Sequence, residues 1–314
     1  MKYLNEFLIT GGSGMVGKSF LQKIPDAIYV SSKSCDLRDP DQVNHLFEQH
    51  RPRFVIHLAA KVGGVMANMN NLGSFYYDNV MINTNVLESA RIFETQKVLS
   101  CLSTCIYPDK VVYPLTEDQI HNGAPHESNF SYAYTKRMIE IQSKAYNIQY
   151  GCNFICMAPN NLFGKFDNFN LEDSHVIPAA IRKIYEAKFN NTRAEFWGDG
   201  TPLREFTYSK DISEISLFLL KNYNSPDVIN VGNTKEISIK QAVDMIANYF
   251  DFDGEILWDK TKPMGQFRKP SDNSKFISLG WDNDKYTKFE IGLKETCEWF
   301  KINYPNVRGL KSAP

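Results

Sequence analysis

Apolar residues in the first half of the chain follow two alternating patterns. Short, nearly continuous apolar runs are typical of buried strands, and they alternate with longer segments whose apolar residues recur every three or four positions, as in amphipathic helices. The predicted strands are at 7–10, 27–30, 54–60, 99–103 and 153–159. The predicted helices are at 41–50, 75–93 and from the motif YAYTK (132–136) to about Tyr150. This order predicts an α/β fold with a parallel, doubly wound sheet.

The alternation loosens in the second half of the chain. Residues 168–173 are polar and loop-like, and the segment EFWGDGTPLREF (195–206) is predicted to be rich in turns. A strand at 228–233 is expected to return to the main sheet, and a helix with aromatic residues is expected at 289–301. Only the residues after Pro305 resemble a tail.

A glycine-rich turn, GGSGMVG, follows the first predicted strand. Gly11 would permit a tight turn, Gly14 a close approach of the backbone to a pyrophosphate, and Gly17 close packing of helix on strand. Backbone amides at the start of the helix would favour phosphate groups. The turn therefore predicts dinucleotide binding at the first strand-to-helix connection.

These patterns predict two parts of unequal size. Residues 1–164 would form a Rossmann-type domain that binds NADP(H), and residues 226–235 and part of 270–300 would return to it. Residues 165–314 would mainly form a smaller α/β lobe that binds the substrate.

The end of the second predicted strand bears on the choice of dinucleotide. The strand ends at Val30, and the sequence from there reads VSSK, without the carboxylate that usually holds the ribose hydroxyls of NADH. Lys33 could instead bind a ribose phosphate, so NADPH is favoured over NADH. The alternative is that Lys33 is a solvated loop lysine. Asp36 and Leu37 follow in a position that could contact the edge of the adenine.

Ser103, Tyr132 and Lys136 could carry acid–base chemistry. Tyr132 and Lys136 are four residues apart, which places them on one face of a helix. A nearby ammonium is expected to lower the pKa of the phenol towards the working range, and Ser103 could hydrogen-bond the same substrate oxygen. The spacing is a weak signal alone, because a surface tyrosine and lysine with an ordinary strand-end serine would give the same pattern.

Composition limits the other classes of function. The chain has 314 residues, 43% of them hydrophobic, and a formal net charge of −1, so we expect a large core and no global basic field for nucleic acid or an anionic membrane. We find no apolar run long enough for a membrane span and no signal segment, so a cytoplasmic location is expected. The six cysteines lie mostly in strand-like runs without a Cys-x-x-Cys pair, so reduced thiols are expected rather than a metal site.

A set of motifs in chain order resembles the extended short-chain dehydrogenase/reductase superfamily. The motifs are GGSGMVG, AAKVGG, STCIYP, YAYTK, NNLFG, SHVIP, WGDGTPLREF and INVGN, and the match covers about residues 5–300. The glycine turn and Tyr-x-x-x-Lys identify the superfamily alone. AAKVGG, STCIYP with its cysteine and SHVIP resemble the branch of epimerase-reductases that act on GDP-4-keto-6-deoxy-D-mannose.

The resemblance implies a reaction and a set of catalytic residues. It implies epimerisation at C3 and C5 of a GDP-linked 4-keto-6-deoxy sugar and reduction at C4 with NADPH, giving GDP-L-fucose or a close relative. Ser103 and Tyr132 would hold and protonate the C4 oxygen, and Lys136 would bind the nicotinamide ribose. Cys105 would be the base of the epimerisation and His175 its acid.

The residues themselves leave the roles of Cys105 and His175 open. Cys105 lies two residues beyond Ser103, so the two would face the same side if the strand continued, and a lysine-rich pocket could favour its thiolate. Taken alone, Cys105 is most simply a small buried side chain, and His175 a solvated or capping residue. His57 lies inside an apolar run and is interpreted as a core residue.

Ligand contacts are also implied by the resemblance. The implied cofactor contacts are Gly11, Gly14, Met15, Val16, Gly17, Lys33, Asp36, Leu37, Ala59, Lys61, Tyr132, Lys136, Pro159, Asn161, Leu162 and His175. Arg204 and Lys183 are suited to the diphosphate of the substrate, and Trp197 to an aromatic wall. Asn160 and Arg268 are further substrate-binding candidates. A surface ion pair for Arg204 and core packing for Trp197 are the alternatives.

Two departures from the family pattern leave the sugar open. Ser13 stands where family members commonly carry an arginine, and Asn160 stands where a small hydroxyl residue is often found. A 4-reductase or an epimerase acting on a GDP-colitose or GDP-6-deoxy-heptose precursor is therefore an alternative, and a non-catalytic NADP-sensing protein is another. The family is often dimeric, and the helices after AAKVGG and around YAYTK would supply the interface.

Overall fold

Six parallel strands form the main sheet in the computed structural model, which describes residues 5–262 and 266–310. Their order is β2-β1-β3-β4-β5-β9, so the predicted doubly wound α/β class is confirmed. The strands of the chain are β1 (Asn5–Thr10), β2 (Ile28–Val30), β3 (Pro52–His57), β4 (Lys97–Cys101), β5 (Phe154–Pro159), β6 (Asn161–Phe163), β7 (Ala194–Trp197), β8 (Leu203–Tyr208), β9 (Ile229–Val231), β10 (Glu236–Ser238) and β11 (Ile256–Asp259).

Helices cover the main sheet and pack against the small sheets. They are α1 (Met15–Ser19), α2 (Pro40–His50), α3 (Val65–Asn70), α4 (Leu72–Ile92), α5 (Phe130–Tyr150), α6 (Val176–Asn190), α7 (Ser209–Asn222), α8 (Ile239–Tyr249), α9 (Ser274–Ser278) and α10 (Phe289–Asn303). Local sequence signals determine where several of these helices begin. The Asp39 side chain accepts from the amides of residues 41 and 42 at the start of α2, and Ser238 and Gln241 form a capping box on α8.

The sheet order creates a crevice where the chain changes direction. β1 is flanked by β2 on one side and β3 on the other, so the chain leaves the middle of the sheet in both directions. In such sheets ligands bind outside the carboxyl ends of the strands at this point. The fold therefore places the glycine turn, which directly follows β1, at the expected binding edge.

The second half of the chain builds two smaller sheets. β6, β8 and β10 form one, and β7 and β11 form the other as a parallel pair. An aromatic core that includes Phe163, Phe206, Phe289 and Phe300 holds these strands against the helices α6, α8 and α10. The strand predicted at 228–233 is β9, which pairs with β5 in the main sheet.

The predicted elements differ from the structure in four places. The strand predicted at 54–60 ends at His57. The segment 195–206, predicted to be turn-rich, contains most of β7 and the first part of β8. The strand predicted to reach Ser103 ends at Cys101, and residues 104–106 form a single 3₁₀ turn. The residues after Pro305 are not simply a tail, because Val307 is buried and the amide of Phe169 donates to the carbonyl oxygen of Arg308 at 2.9 Å. Along the described residues, no helix combines the length and apolar character needed to cross a bilayer.

Candidate active site

A cavity of about 1690 Å³ opens at the carboxyl ends of the main-sheet strands and reaches the small sheets. Residues that follow β1, β2, β3, β4 and β5 line one end of it, and residues of α6, β7 and β8 line the other. A cavity of this shape can hold an extended dinucleotide and a second ligand side by side.

The glycine turn lies against the neighbouring strand so closely that side chains are excluded. Gly11 has φ +70°, and a Cβ at this position would lie 2.9 Å from the backbone nitrogen of Ala59. A Cβ on Gly17 would collide with the carbonyl oxygen of Gly11. Both glycines are therefore required by geometry, and the backbone they expose to the cavity fits a dinucleotide pyrophosphate.

The cavity brings together all but one of the residues predicted to contact the cofactor. Its lining includes Gly11, Gly14, Met15, Val16, Gly17, Asp36, Leu37, Ala59, Lys61, Tyr132, Lys136, Pro159, Asn161, Leu162 and His175. Lys33 is exposed and lies outside this lining. The nearby cation that does line the cavity is Arg38, which follows the predicted Asp36 and Leu37.

Charged residues at the β2 end of the cavity are already paired with one another. Arg38 donates to the two carboxylate oxygens of Asp36 at 2.9 and 2.7 Å and to Asp78 at 3.2 Å. Lys61 donates to the other oxygen of Asp78 at 2.8 Å. Hydrogen bonds from Arg38 lower the pKa of Asp36 to about 2, so this carboxylate is charged at neutral pH.

Tyr132 and Lys136 lie in the first two turns of α5 and face the cavity together. The Lys136 ammonium donates to the carbonyl oxygen of Cys101 at 2.7 Å and lies 5.8 Å from the centre of the Tyr132 ring. The predicted lowering of the tyrosine pKa is wrong for this arrangement. Burial raises the pKa of Tyr132 well above its usual value, and the thiols of Cys105 and Cys101 act in the same direction. Tyr132 is therefore a phenol that can donate a proton.

Ser103 and Cys105 follow β4 and enter the cavity from a turn, because the strand does not continue to Cys105. The Ser103 hydroxyl accepts from the amide of Cys105 at 3.4 Å and caps the 3₁₀ turn at 104–106. Burial raises the pKa of the Cys105 thiol, while the positive charges of Lys269 and Lys136 and the hydroxyl of Ser103 act to lower it. The expected lysines are present, but burial is the larger effect.

His175 stands at the start of α6, on the opposite wall of the same cavity. Its side chain is exposed to the cavity, and the surrounding protein lowers its pKa, against the opposing charge of Asp173. The imidazole is therefore neutral at pH 7. His57, by contrast, is a core residue as predicted: it is 1% exposed and bonded to Thr10 and Asn83.

Four of the five predicted substrate contacts line the cavity, and three of them, Lys183, Trp197 and Arg204, lie at its far end. Lys183 donates to the carbonyl oxygen of Glu195 at 2.9 Å, Arg204 donates to its own neighbour Leu203 at 2.7 Å, and the Trp197 ring is 42% exposed. None of these contacts uses a carboxylate, so both cations keep their charge for an anion.

Asn160 and Arg268 serve other contacts in the structure. Asn160 is buried, and its amide is bonded to Glu205, Asn233 and Thr207, so it has a structural role. Arg268 lies outside the cavity lining and forms a two-pronged ion pair with Glu236 at 2.6 to 2.9 Å. The structure does not bring Arg268 to the site.

Sequence reasoning missed seven charged residues that line the cavity: Arg38, Asp78, Glu127, Asp167, Glu172, Lys269 and Arg308. Lys269 is adjacent to the predicted Arg268, so an alternating, strand-like reading of this segment could have identified it. Burial lowers the pKa of Lys269 to about 8. Asp167 and Arg308 carry no local sequence signal. Within the described residues, no cluster of three or more histidine, cysteine or acidic side chains could hold a metal ion.

Comparison with known proteins identifies the family. The family described as "NAD dependent epimerase/dehydratase family" matches residues 7–232. A GDP-L-fucose synthase from Dictyostelium discoideum is 42% identical over 310 residues, which cover 96% of this chain and 97% of the relative. The chain belongs to the GDP-L-fucose synthase family.

Further members and neighbours of the GDP-L-fucose synthase family agree with this assignment. A solved structure of a GDP-L-fucose synthetase from Naegleria fowleri bound to NADP is 41% identical, with a TM-score of 0.90 over 97% of this chain and 95% of that one. A GDP-L-colitose synthase from Yersinia pseudotuberculosis is 35% identical over 94% of this chain and 97% of that relative. The predicted resemblance to the epimerase-reductase branch is thus confirmed.

Proposed function

We propose that this chain is an NADPH-dependent epimerase-reductase that converts a GDP-linked 4-keto-6-deoxy sugar to GDP-L-fucose. The observation that carries the proposal is the meeting of five side chains in one cavity, between the glycine turn and a pair of cations: Ser103, Cys105, Tyr132, Lys136 and His175. Relatives named GDP-L-fucose synthase span nearly the whole chain, and one solved relative is bound to NADP.

The reduction half-reaction needs a proton donor at the C4 oxygen. NADPH, when bound, would supply the hydride for C4. Tyr132 is held as a phenol by burial, which is the protonation state required to give a proton to the developing alkoxide. Ser103 shares the C4 oxygen as a second hydrogen-bond donor, and Lys136 is fixed by the Cys101 carbonyl beside the phenol.

The epimerisation half-reaction needs a base and an acid on opposite faces of the sugar ring. Cys105 removes the proton beside the ketone, His175 returns one, and the C4 oxygen is stabilised by the donors just described. Burial favours the neutral Cys105 thiol, and desolvation by the cavity walls favours the neutral His175 imidazole. The active thiolate and imidazolium differ from that pair by the position of one proton, and Lys269 and Lys136 favour the thiolate.

Substrate binding is assigned to the second half of the chain. Lys183 and Arg204 would bind the diphosphate, since neither is neutralised by a carboxylate bond, and Trp197 would form an aromatic wall. Residues 1–164 would hold NADP(H) and residues 165–314 mainly the GDP-sugar.

The decisive experiment supplies GDP-4-keto-6-deoxy-D-mannose and NADPH in deuterated water. We expect oxidation of NADPH, followed by absorbance, and a GDP-L-fucose product with deuterium at both C3 and C5 by NMR. Reduction without deuterium at C3 would instead indicate a plain reductase or an enzyme of the colitose type. Binding of NADPH without turnover of any keto sugar would contradict the proposal.

A homodimer is also proposed, formed through α4 and α5. These helices pack on each other and expose apolar side chains to the outside, among them Tyr76, Tyr77, Ile141 and Ile148. Apolar residues on two neighbouring helices of a main domain fit a second copy of the same surface.

A charged residue introduced at this surface should dissociate the dimer. Ile141→Glu is expected to shift the mass measured by light scattering from dimer to monomer at micromolar concentration, because the carboxylate would be buried without a partner. Ile302→Glu, on the exposed face of α10, is the matched control and should leave the mass unchanged. A wild-type protein that is monomeric at all concentrations would exclude the dimer.

A cytoplasmic location is proposed as well. All six cysteines are free, and the burial of several of them raises their pKa and protects the thiols from oxidation. Fractionation of cells that produce the protein tests this location directly.

A further inference from the structure

A buried carboxylate in the cavity wall has no assigned role so far. Asp167 is 6% exposed, and one of its oxygens accepts from the amide of Asn168 at 2.7 Å. The other oxygen, Oδ2, has no hydrogen-bond partner within the part of the chain that the structure describes. Burial raises the pKa of Asp167 to about 7, and the charge of Arg308 opposes this rise. An orphaned buried carboxylate oxygen indicates a missing partner.

Arg308 is held beside Asp167 by the docking of the C-terminal segment. The carbonyl oxygen of Arg308 accepts from the amide of Phe169, and Val307 is buried. Gly309 has φ +91°, and a Cβ there would collide with the backbone of Asn170. Glycine is therefore required for this close approach, and the approach brings the Arg308 side chain to the cavity wall.

The guanidinium of Arg308 is available for a ligand. Among residues 5–262 and 266–310, no hydrogen bond or ion pair to this group is formed. Arg38 and Lys61, the cations at the β2 end of the cavity, are by contrast already bonded to Asp36 and Asp78.

Asp167 and Arg308 lie on the side of the cavity near the glycine turn. Phe166, the residue before Asp167, lies under the ammonium of Lys18, which is 4.3 Å from the ring centre. Lys18 belongs to α1, the short helix that directly follows the turn. Arg308 and the glycine turn also line the same cavity. The nearest anion that a dinucleotide would present at such a turn is its diphosphate.

We propose that Arg308 binds the diphosphate of the dinucleotide and that Asp167 positions its guanidinium. This inference rests on the proposed binding of NADP(H). The planar guanidinium can donate two parallel hydrogen bonds to phosphate oxygens from one edge, while another edge donates to Oδ2 of Asp167. Arg308 would touch the ligand, and Asp167 would act through Arg308.

The test compares dissociation constants for NADPH, NADH and GDP, measured by fluorescence titration without turnover. Arg308→Gln is expected to weaken the binding of NADPH and of NADH by the same factor, about tenfold or more, because both dinucleotides carry the diphosphate. The affinity for GDP should be unchanged. Lys301→Gln, an exposed cation on α10, is the matched control and should change nothing. Thermal unfolding checks that Arg308→Gln keeps the fold, since only the backbone of Arg308 takes part in docking.

A double substitution tests the positioning role. Asp167→Asn should weaken the binding of both dinucleotides in the wild-type protein. It should have no further effect on binding in the Arg308→Gln variant, whereas independent roles of the two residues would give additive losses of affinity. Unchanged affinity in Arg308→Gln, a loss confined to NADPH, or a loss confined to GDP would overturn the inference. Failure of the unaltered protein to bind either dinucleotide would overturn the proposed function itself.

Discussion

Replacing Tyr132 with phenylalanine is expected to slow reduction of the C4 ketone by about a hundredfold or more, the usual contribution of a positioned general acid. The change removes one hydroxyl from a ring that is 8% exposed, so the packing of α5 should be retained. The rate is measured from NADPH absorbance with the keto sugar at saturation, and NADPH affinity should stay within a few-fold of wild type.

Tyr134→Phe is the matched control for this experiment. Tyr134 lies on the same helix two residues away, but its side chain faces outward and is 43% exposed. The Tyr134→Phe variant should reduce the keto sugar at the wild-type rate. If Tyr132→Phe kept comparable turnover, the phenol would not be the acid, and another group would have to protonate the C4 oxygen.

Replacing Cys105 with serine is expected to separate the two half-reactions. A hydroxyl is a far weaker acid than a thiol, so the variant cannot supply the base, and deuterium incorporation at C3 and C5 should fall by about a hundredfold or more. Reduction of a ketone that has already been epimerised should continue, because Ser103, Tyr132 and Lys136 are unchanged. The two rates are measured by NMR and by NADPH absorbance.

Cys152→Ser serves as the control, because Cys152 lies outside the cavity lining. It should affect neither rate. An equal loss of exchange and of reduction in Cys105→Ser would contradict the division of labour between Cys105 and Tyr132.

The main-sheet elements were predictable from sequence because their patterns are local. The runs that became β1, β3, β4 and β5 are apolar on both faces, as strands buried between helix layers must be. β7 and β8 were missed, since both are short and carry charged side chains, and the turn-forming residues 198–202 lie between them. Those strands exist because they pair with β11, β6 and β10, which are distant in sequence.

The site residues also divide into those that local motifs predict and those that they do not. The glycine turn and the Tyr132–Lys136 spacing are local motifs, and both line the cavity. Lys33 was predicted to reach the cavity where Arg38 does, and Arg268 where Lys269 does. Which of two nearby loop cations lines the cavity depends on the direction of its side chain, and sequence spacing does not specify that direction. The pKa of Tyr132 was predicted in the wrong direction because burial, which the sequence does not quantify, raises it, and the neighbouring thiols act in the same direction.

The chain passes between the main sheet and the small sheets from β5 to β6, from β8 to β9 and from β9 to β10, and one buried amide ties the first and last of these passages together. Asn160 joins β5 to β6, and its side chain donates to Asn233, which lies between β9 and β10, while Glu205 and Thr207 of β8 complete its bonds. A Cβ on Gly232 would collide with the Asn160 amide, so the two passages are in direct contact. Any movement of the main sheet relative to the small sheets would therefore change the hydrogen bonds of Asn160 at this crossing.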